Sequence, residues 1–183
     1  MKFDVLLLNT YERSLVNIVG KVLRNVFHGE TIYLGEENIP EKFLDTFRSQ
    51  YVSDYILDWL VAFRKHDYLV ALANVDAYTP GLNFVLGMAN PYTKVCVVYL
   101  PRLHQSFFGI MENKNLFISR LIKEVLHEVG HLFGLSHCSN PKCVMRFSNS
   151  ILDTDYKEAK FCLICASKLI NSGIKVEPKY ILT

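Results

Sequence analysis

The sequence predicts an α/β fold: a mixed, mainly parallel, twisted sheet flanked by helices. Three observations carry this. Phe3–Leu8 and Tyr68–Val75 are almost wholly apolar runs of strand length, the pattern of strands buried on both faces. Leu15, Ile18, Val19, Val22, Leu23 and Val26 recur at helical spacing between them. Strands that alternate with helices favour crossover connections, and crossovers give parallel pairing.

Taken in order, Phe3–Leu8 is the first strand, with Asp4 its one charged residue. Ser14 suits an N-cap for a helix from Leu15 to about Phe27, which His28-Gly29 closes. Thr31–Leu34 reads as a short second strand and Gly35–Pro40 as a loop. From Glu41 to about Lys65 the pattern is mostly helical, with Ile56, Leu57, Leu60, Val61 and Phe63 inward. Tyr68–Val75 is the third strand, and Thr79-Pro80-Gly81 a turn. Asn83–Met88 and Lys94–Leu100 are two strands joined through Asn90-Pro91. So short a connection makes them antiparallel, with one at a sheet edge. A long helix follows from Glu112 to Phe133. Beyond Gly134 periodicity fades until a short helix near Cys162–Ile170, and the tail Asn171–Thr183 shows no pattern.

A length of 183 residues suits one domain, 1–183. The end of the long helix divides it into an N-terminal subdomain, 1–134, and a C-terminal subdomain, 135–183. Half the residues are hydrophobic, enough for a full core. Twenty basic against eighteen acidic residues leave a net charge of +2, which argues against nucleic acid as a partner. No segment reaches the roughly 18 apolar residues of a membrane span. Met1–Leu8 lacks the long apolar core and small-residue cleavage site of a signal peptide, so the expected location is cytoplasmic. A monomer is the favoured state.

The strongest chemical signal is His127-Glu128-Val129-Gly130-His131, continued by Gly134 and His137. Positions i and i+4 share a helix face, so His127 and His131 can offer two imidazoles to one metal. Glu128 points to the neighbouring sector, where it can act as base on a water without taking a coordination site. Gly134 tolerates the left-handed conformation that ends a helix, which lets the chain bend and return His137 as third ligand. Three protein ligands leave one tetrahedral position open, as in catalytic rather than structural zinc. His28, His66 and His104 stand alone and read as surface or loop residues.

Four of the five cysteines lie in the last quarter of the chain: Cys138, Cys143, Cys162 and Cys165. Two close pairs suit a structural zinc site, with an iron–sulfur cluster, disulfides and a redox pair as alternatives. Cys138 directly follows His137, so this site would hold the third histidine in place. The fifth cysteine, Cys96, sits in an apolar run and reads as core. So does Met145, taken alone.

These residues together resemble the archaemetzincins, a family of zinc peptidases in the metzincin clan. The long histidine motif is followed at once by Cys138, then by Cys143-Val144-Met145, then by Cys162-Leu163-Ile164-Cys165. Upstream, Arg48-Ser49-Gln50-Tyr51, Asp76-Ala77-Tyr78 and Leu82–Gly87 are similar to family segments, as is Arg146–Ser150. The resemblance covers most of the chain up to about Ile170. It implies a compact metzincin-like domain with an active-site helix and a small zinc-bound C-terminal subdomain. It implies that Met145 belongs to the Met-turn beneath the catalytic metal. Two zinc ions per chain follow from it, one catalytic and one structural on the four cysteines. It also implies metallopeptidase activity on peptide or protein substrates, aminopeptidase-like in some members. The edge strand is a candidate for aligning a peptide. A zinc-containing peptide-binding or regulatory module with little turnover is the alternative, against which the intact Glu128 argues.

Overall fold

A computed structural model describes residues 1–183. Its main sheet has five strands: β1 (Lys2–Leu8), β2 (Glu30–Glu37), β5 (Tyr68–Ala73), β7 (Gly87–Asn90) and β8 (Val95–Tyr99), in the order β2-β1-β5-β8-β7. All pairs are parallel except β7 with β8, so the mixed, mainly parallel sheet read from the sequence is what forms. A small sheet of β3 (Leu44–Asp45), β4 (Gln50–Val52) and β6 (Ala77–Tyr78) lies beside it. The helices are α1 (Ser14–Phe27), α2 (Ser53–Leu60), α3 (Lys114–Leu132), α4 (Ile151–Tyr156) and α5 (Leu163–Asn171). No helix is long and apolar enough to cross a membrane.

Strand β1 shows why the sheet is double-faced. Phe3, Val5 and Leu7 enter the larger core with α1 and α3, while Leu6 and Leu8 enter the smaller one with α2. Asp4 is fully buried yet satisfied. Its carboxylate accepts the backbone N–H groups of Lys65 (2.6 Å) and His66 (2.8 Å) and pairs with the His66 ring (2.7 Å), fixing the turn into β5.

Six local expectations are corrected. Ser14 does not cap α1: Arg13 occupies that position, and the Ser14 hydroxyl donates to Glu12. The second strand runs on to Glu37, because a bulge at Leu34-Gly35 lets it continue where a loop was expected. Helix within 41–65 is confined mainly to α2. The residues before it form β3 and β4, pinned by partners far along the chain. The strand expected over Asn83–Met88 shrinks to Gly87–Asn90, though it is antiparallel and at the edge as expected. Helix α4 lies in the stretch that showed no periodicity. The tail, for which no pattern was found, packs on the core through Val176, and Ile181 bridges to Phe161.

Candidate active site and metal centres

Helix α3 begins where Asn113 accepts the N–H of Leu116 (3.1 Å) and ends in a Schellman arrangement. There Gly134, at φ 88°, donates to the His131 carbonyl, and Leu135 donates to that of Gly130. This end does more than stop the helix. The Leu135 carbonyl, carried back by the turn, accepts from His131 Nδ1 at 2.7 Å. On the other side the Val144 carbonyl accepts from His127 Nδ1 at 2.8 Å.

Both rings are thereby set in one tautomer. Each Nδ1 keeps its proton for a carbonyl, and each Nε2 presents a lone pair. The two Nε2 atoms lie 3.1 Å apart. Two lone pairs facing each other at that distance repel unless a cation lies between them. Nitrogens about 2.0–2.1 Å from a tetrahedral zinc would be about 3.3 Å apart, so the pair fits that ion. His137 completes the group: one ring nitrogen from each of the three histidines falls within 4.8 Å of the others. Phe147 packs edge-on against the His137 ring at 4.9 Å. Burial pushes the imidazole pKa down in all three, well below the ordinary range for His127, and so favours neutral rings that can ligate.

The histidines line a cleft of about 450 Å³ between α3 and the edge strand β7. Glu128 lines it too. Burial holds its carboxyl well above the usual carboxylate range; Glu124 adds to the rise and Lys157 opposes it. The carboxylate fits because Gly87 of β7 has no side chain: a Cβ there would lie 2.5 Å from Glu128 Oε1. Gly130 plays a matching part below. A Cβ on it would meet Met145 Sδ at 2.4 Å, so the fully buried Met145 packs against the helix between the two histidines. The turn Cys143–Arg146, closed by Arg146 N–H to the Cys143 carbonyl, carries Met145.

Cys138, Cys143, Cys162 and Cys165 form the second cluster, with all four Sγ atoms within 4.8 Å and none in a disulfide. Cys138 and Cys162 are 3.7 Å apart through sulfur, close to the roughly 3.8 Å edge of a tetrahedral zinc–sulfur site. Backbone N–H groups of Asn140 and Cys162 point at the sulfurs of Cys138 and Cys143. Burial pushes Cys143 up to about 11. Burial also raises Cys162, but hydrogen bonds from Cys165 and the other thiols outweigh it and leave Cys162 below the ordinary thiol range. Thiols gathered this closely, with burial opposing their ionisation at Cys143 and Cys165, lose their protons when a cation takes their place, and this donor set suits zinc. The two clusters are joined by backbone: Cys138 N–H donates to the Met145 carbonyl at 2.9 Å.

The structure therefore brings together every residue singled out from the sequence as ligand, base or Met-turn. It adds residues the motif did not point to. Glu124 and Lys157 form a buried ion pair at the cleft, 3.0 Å apart. In the sequence Gly87 stands out only as the end of the segment Leu82–Gly87. The dispersed segments around Arg48, Asp76 and Leu82 also meet. Arg48 and Gln50 donate to the Asn83 carbonyl, and Gln50 and Arg102 bind Asp76, which fixes the wall of the cleft.

Comparison with known proteins agrees with this architecture. The sequence model of Peptidase family M54 matches residues 5–171. The archaemetzincin of Pyrococcus horikoshii is 46% identical over 129 residues, 68% of each chain. That of Methanocaldococcus jannaschii is 40% identical over 163 residues, 89% of each. Among solved structures, archaemetzincin from Archaeoglobus fulgidus, complexed with malonate, superposes with a TM-score of 0.81 at 34% identity, covering 92% of this chain and 99% of that one. The Methanopyrus kandleri archaemetzincin gives 0.83 at 32% identity, covering 94% of each. On a family match across most of its length, the chain belongs to peptidase family M54, the archaemetzincins, and is a zinc metallopeptidase.

Proposed function

We propose that His127, His131 and His137 hold the catalytic zinc and that Glu128 is the general base of peptide-bond hydrolysis. The observation that carries this is the pair of Nε2 atoms 3.1 Å apart, both presenting lone pairs, with Glu128 in the same cleft. Zinc, when bound, supplies the Lewis acidity that activates water and polarises the scissile carbonyl. Glu128 accepts the proton of the attacking water and passes it to the leaving amine. The Gly87 gap fixes where that carboxylate sits, and the Val144 and Leu135 carbonyls fix the rings. The free edge of β7 lines the cleft, so a substrate strand can add to the sheet there.

We further assign a second, structural zinc to Cys138, Cys143, Cys162 and Cys165, giving two per chain. In this reading residues 135–183 form a C-terminal subdomain on one domain that acts as a monomer in the cytoplasm. Aminopeptidase-like action is one form the activity can take.

The test is metal stoichiometry and peptide cleavage measured together, for the parent and for Glu128→Ala. Two zinc ions in both proteins, with cleavage reduced at least about 10²-fold in the variant, is the expected result. Zinc retained and no cleavage of a broad peptide library by either protein would favour a binding module instead. Equal cleavage by both would remove Glu128 from its role.

A further inference from the structure

The three histidines are not held alike. His127 and His131 each fix Nδ1 against a backbone carbonyl, that of Val144 and that of Leu135. His137 has no such partner; its ring rests on Phe147 and on the other two imidazoles. Its place therefore depends on its backbone, and the next residue along is Cys138. The Cys138 N–H donates to the Met145 carbonyl at 2.9 Å, and its sulfur belongs to the cysteine cluster. Whatever moves Cys138 moves the third imidazole of the histidine site.

Cys138 is also the member of the cluster that solvent reaches. It is partly exposed, whereas Cys143, Cys162 and Cys165 are buried, at 0%, 5% and 4% exposure. Its Sγ lies 3.7 Å from that of Cys162. A disulfide spans about 2.05 Å, so the two sulfurs need to close by roughly 1.7 Å. Cys162 is fixed at the start of α5, with its N–H on the Cys143 sulfur at 3.3 Å. Cys138 lies in irregular chain after α3, so it is the one that moves. As a metal ligand Cys138 is a thiolate, the form of cysteine that attacks peroxides.

We propose that Cys138 and Cys162 are a modification site for hydroperoxides, and that the disulfide formed there switches off the histidine site. The inference rests on the reading of His127, His131 and His137 as the catalytic zinc site. In the first step the Cys138 thiolate attacks the peroxide: an S–O bond forms, the O–O bond breaks, and the leaving oxygen takes a proton from solvent as an alcohol. In the second the Cys162 thiolate attacks the sulfenic acid: an S–S bond forms, the S–O bond breaks, and the oxygen leaves as water with a second solvent proton. The two sulfurs lose two electrons, and one hydroperoxide is reduced to alcohol and water. The disulfide withdraws two of the four sulfurs from the cluster. It also draws Cys138 toward Cys162 and carries His137 with it.

Hydrogen peroxide added to the zinc-loaded protein tests it. Disulfides are mapped by mass spectrometry of the digested chain, and zinc affinity of the histidine site is read by competition with a graded chelator. The expected result is a Cys138–Cys162 disulfide, about one zinc released per disulfide from the sulfur site, and histidine-site affinity lowered about 10–100-fold. Dithiothreitol with added zinc should reverse all three, which excludes oxidation of Met145, since a sulfoxide survives that treatment. Peroxide that leaves the four thiols unmodified, a disulfide between another pair, or a Cys138–Cys162 disulfide with histidine-site affinity unchanged each overturns the proposal. A parent chain holding only one zinc removes the structural-zinc assignment, and histidine-site affinity alone then decides. Peptide cleavage, followed in parallel, separates this proposal from the reading beneath it. Cleavage that persists in the fully oxidised protein overturns the switch and leaves the peptidase standing. If neither form cuts any peptide while the affinity falls on oxidation, the switch stands and the peptidase reading falls.

Discussion

Gly87 leaves the space that the Glu128 carboxylate fills: a Cβ on the glycine would sit 2.5 Å from the Oε1 of the glutamate. Sheet edge and active-site helix approach this closely only because one partner has no side chain. Gly87 has no left-handed φ to explain it, so close approach is its reason. Gly87→Ala must therefore move the carboxylate or the strand. With Glu128 as base, a displacement near 1 Å should cost about 10²-fold in kcat/KM while zinc content and the far-UV spectrum stay unchanged. Steady-state kinetics with metal analysis checks this, and parental activity in the variant would show that the contact yields without consequence.

Gly130 sets helix propensity against packing. Gly130 lies in the last turn of α3, where alanine is still favoured over glycine, by up to about 1 kcal/mol. Here the added methyl would meet Met145 Sδ at 2.4 Å, and that thioether is fully buried with Phe161 nearby. Overpacking of this kind costs about 1–3 kcal/mol. Gly130→Ala should accordingly be less stable than the parent in denaturant unfolding, against the propensity scale. Gly130→Ala combined with Met145→Ala should be destabilised by less than the sum of the two single variants, because the clash is absent once the thioether is gone.

What could be read in advance follows from how local each signal is. Strand β1 and helix α1 were legible because their apolar pattern depends on their own residues. The histidine motif was legible because a helix fixes the i, i+4 geometry by itself. Residues 44–52 carry a helical pattern yet form strands because their partners lie elsewhere: Tyr78 donates to Asp45, and Arg48 reaches Asn83. No window of sequence contains both ends of such a bond. Helix α4 was missed for a related reason. It is only six residues long, held by a capping box at Ser150 and Asp153 and by Arg120 and Lys123 on α3. Gly87 carried its meaning only through a residue 41 positions later.

The turn at Cys143–Arg146 serves both metal clusters at once. Cys143 belongs to the sulfur group, the Val144 carbonyl orients His127, and the Met145 carbonyl accepts from Cys138. Loss of the sulfur site should loosen that turn and so the histidine site. Cys143→Ala is expected to lose more than one of two zinc ions, with histidine-site affinity falling about 10–100-fold. Zinc per chain after dialysis against a graded chelator measures it. Full occupancy of the histidine site in the variant would uncouple the two centres.

Lys157 is the most demanding residue in the fold outside the metal sites. It is 1% exposed, and its ammonium reaches Glu124 at 3.0 Å and the Arg146 carbonyl at 3.3 Å. Glu124, 3% exposed, also accepts from Thr154 at 3.0 Å and stands one turn from Glu128. Two carboxylates in adjacent turns of a buried helix face need a compensating cation, and Lys157 is it. Removing only the lysine leaves an unpaired buried charge, which typically costs about 3–5 kcal/mol. Lys157→Met should therefore unfold at distinctly lower denaturant than the parent. Glu124→Gln together with Lys157→Met removes the stranded charge and keeps an acceptor for Thr154, so it should recover most of the loss. A double variant no more stable than Lys157→Met would mean that lysine packing, rather than charge pairing, holds α3 to the segment behind α4.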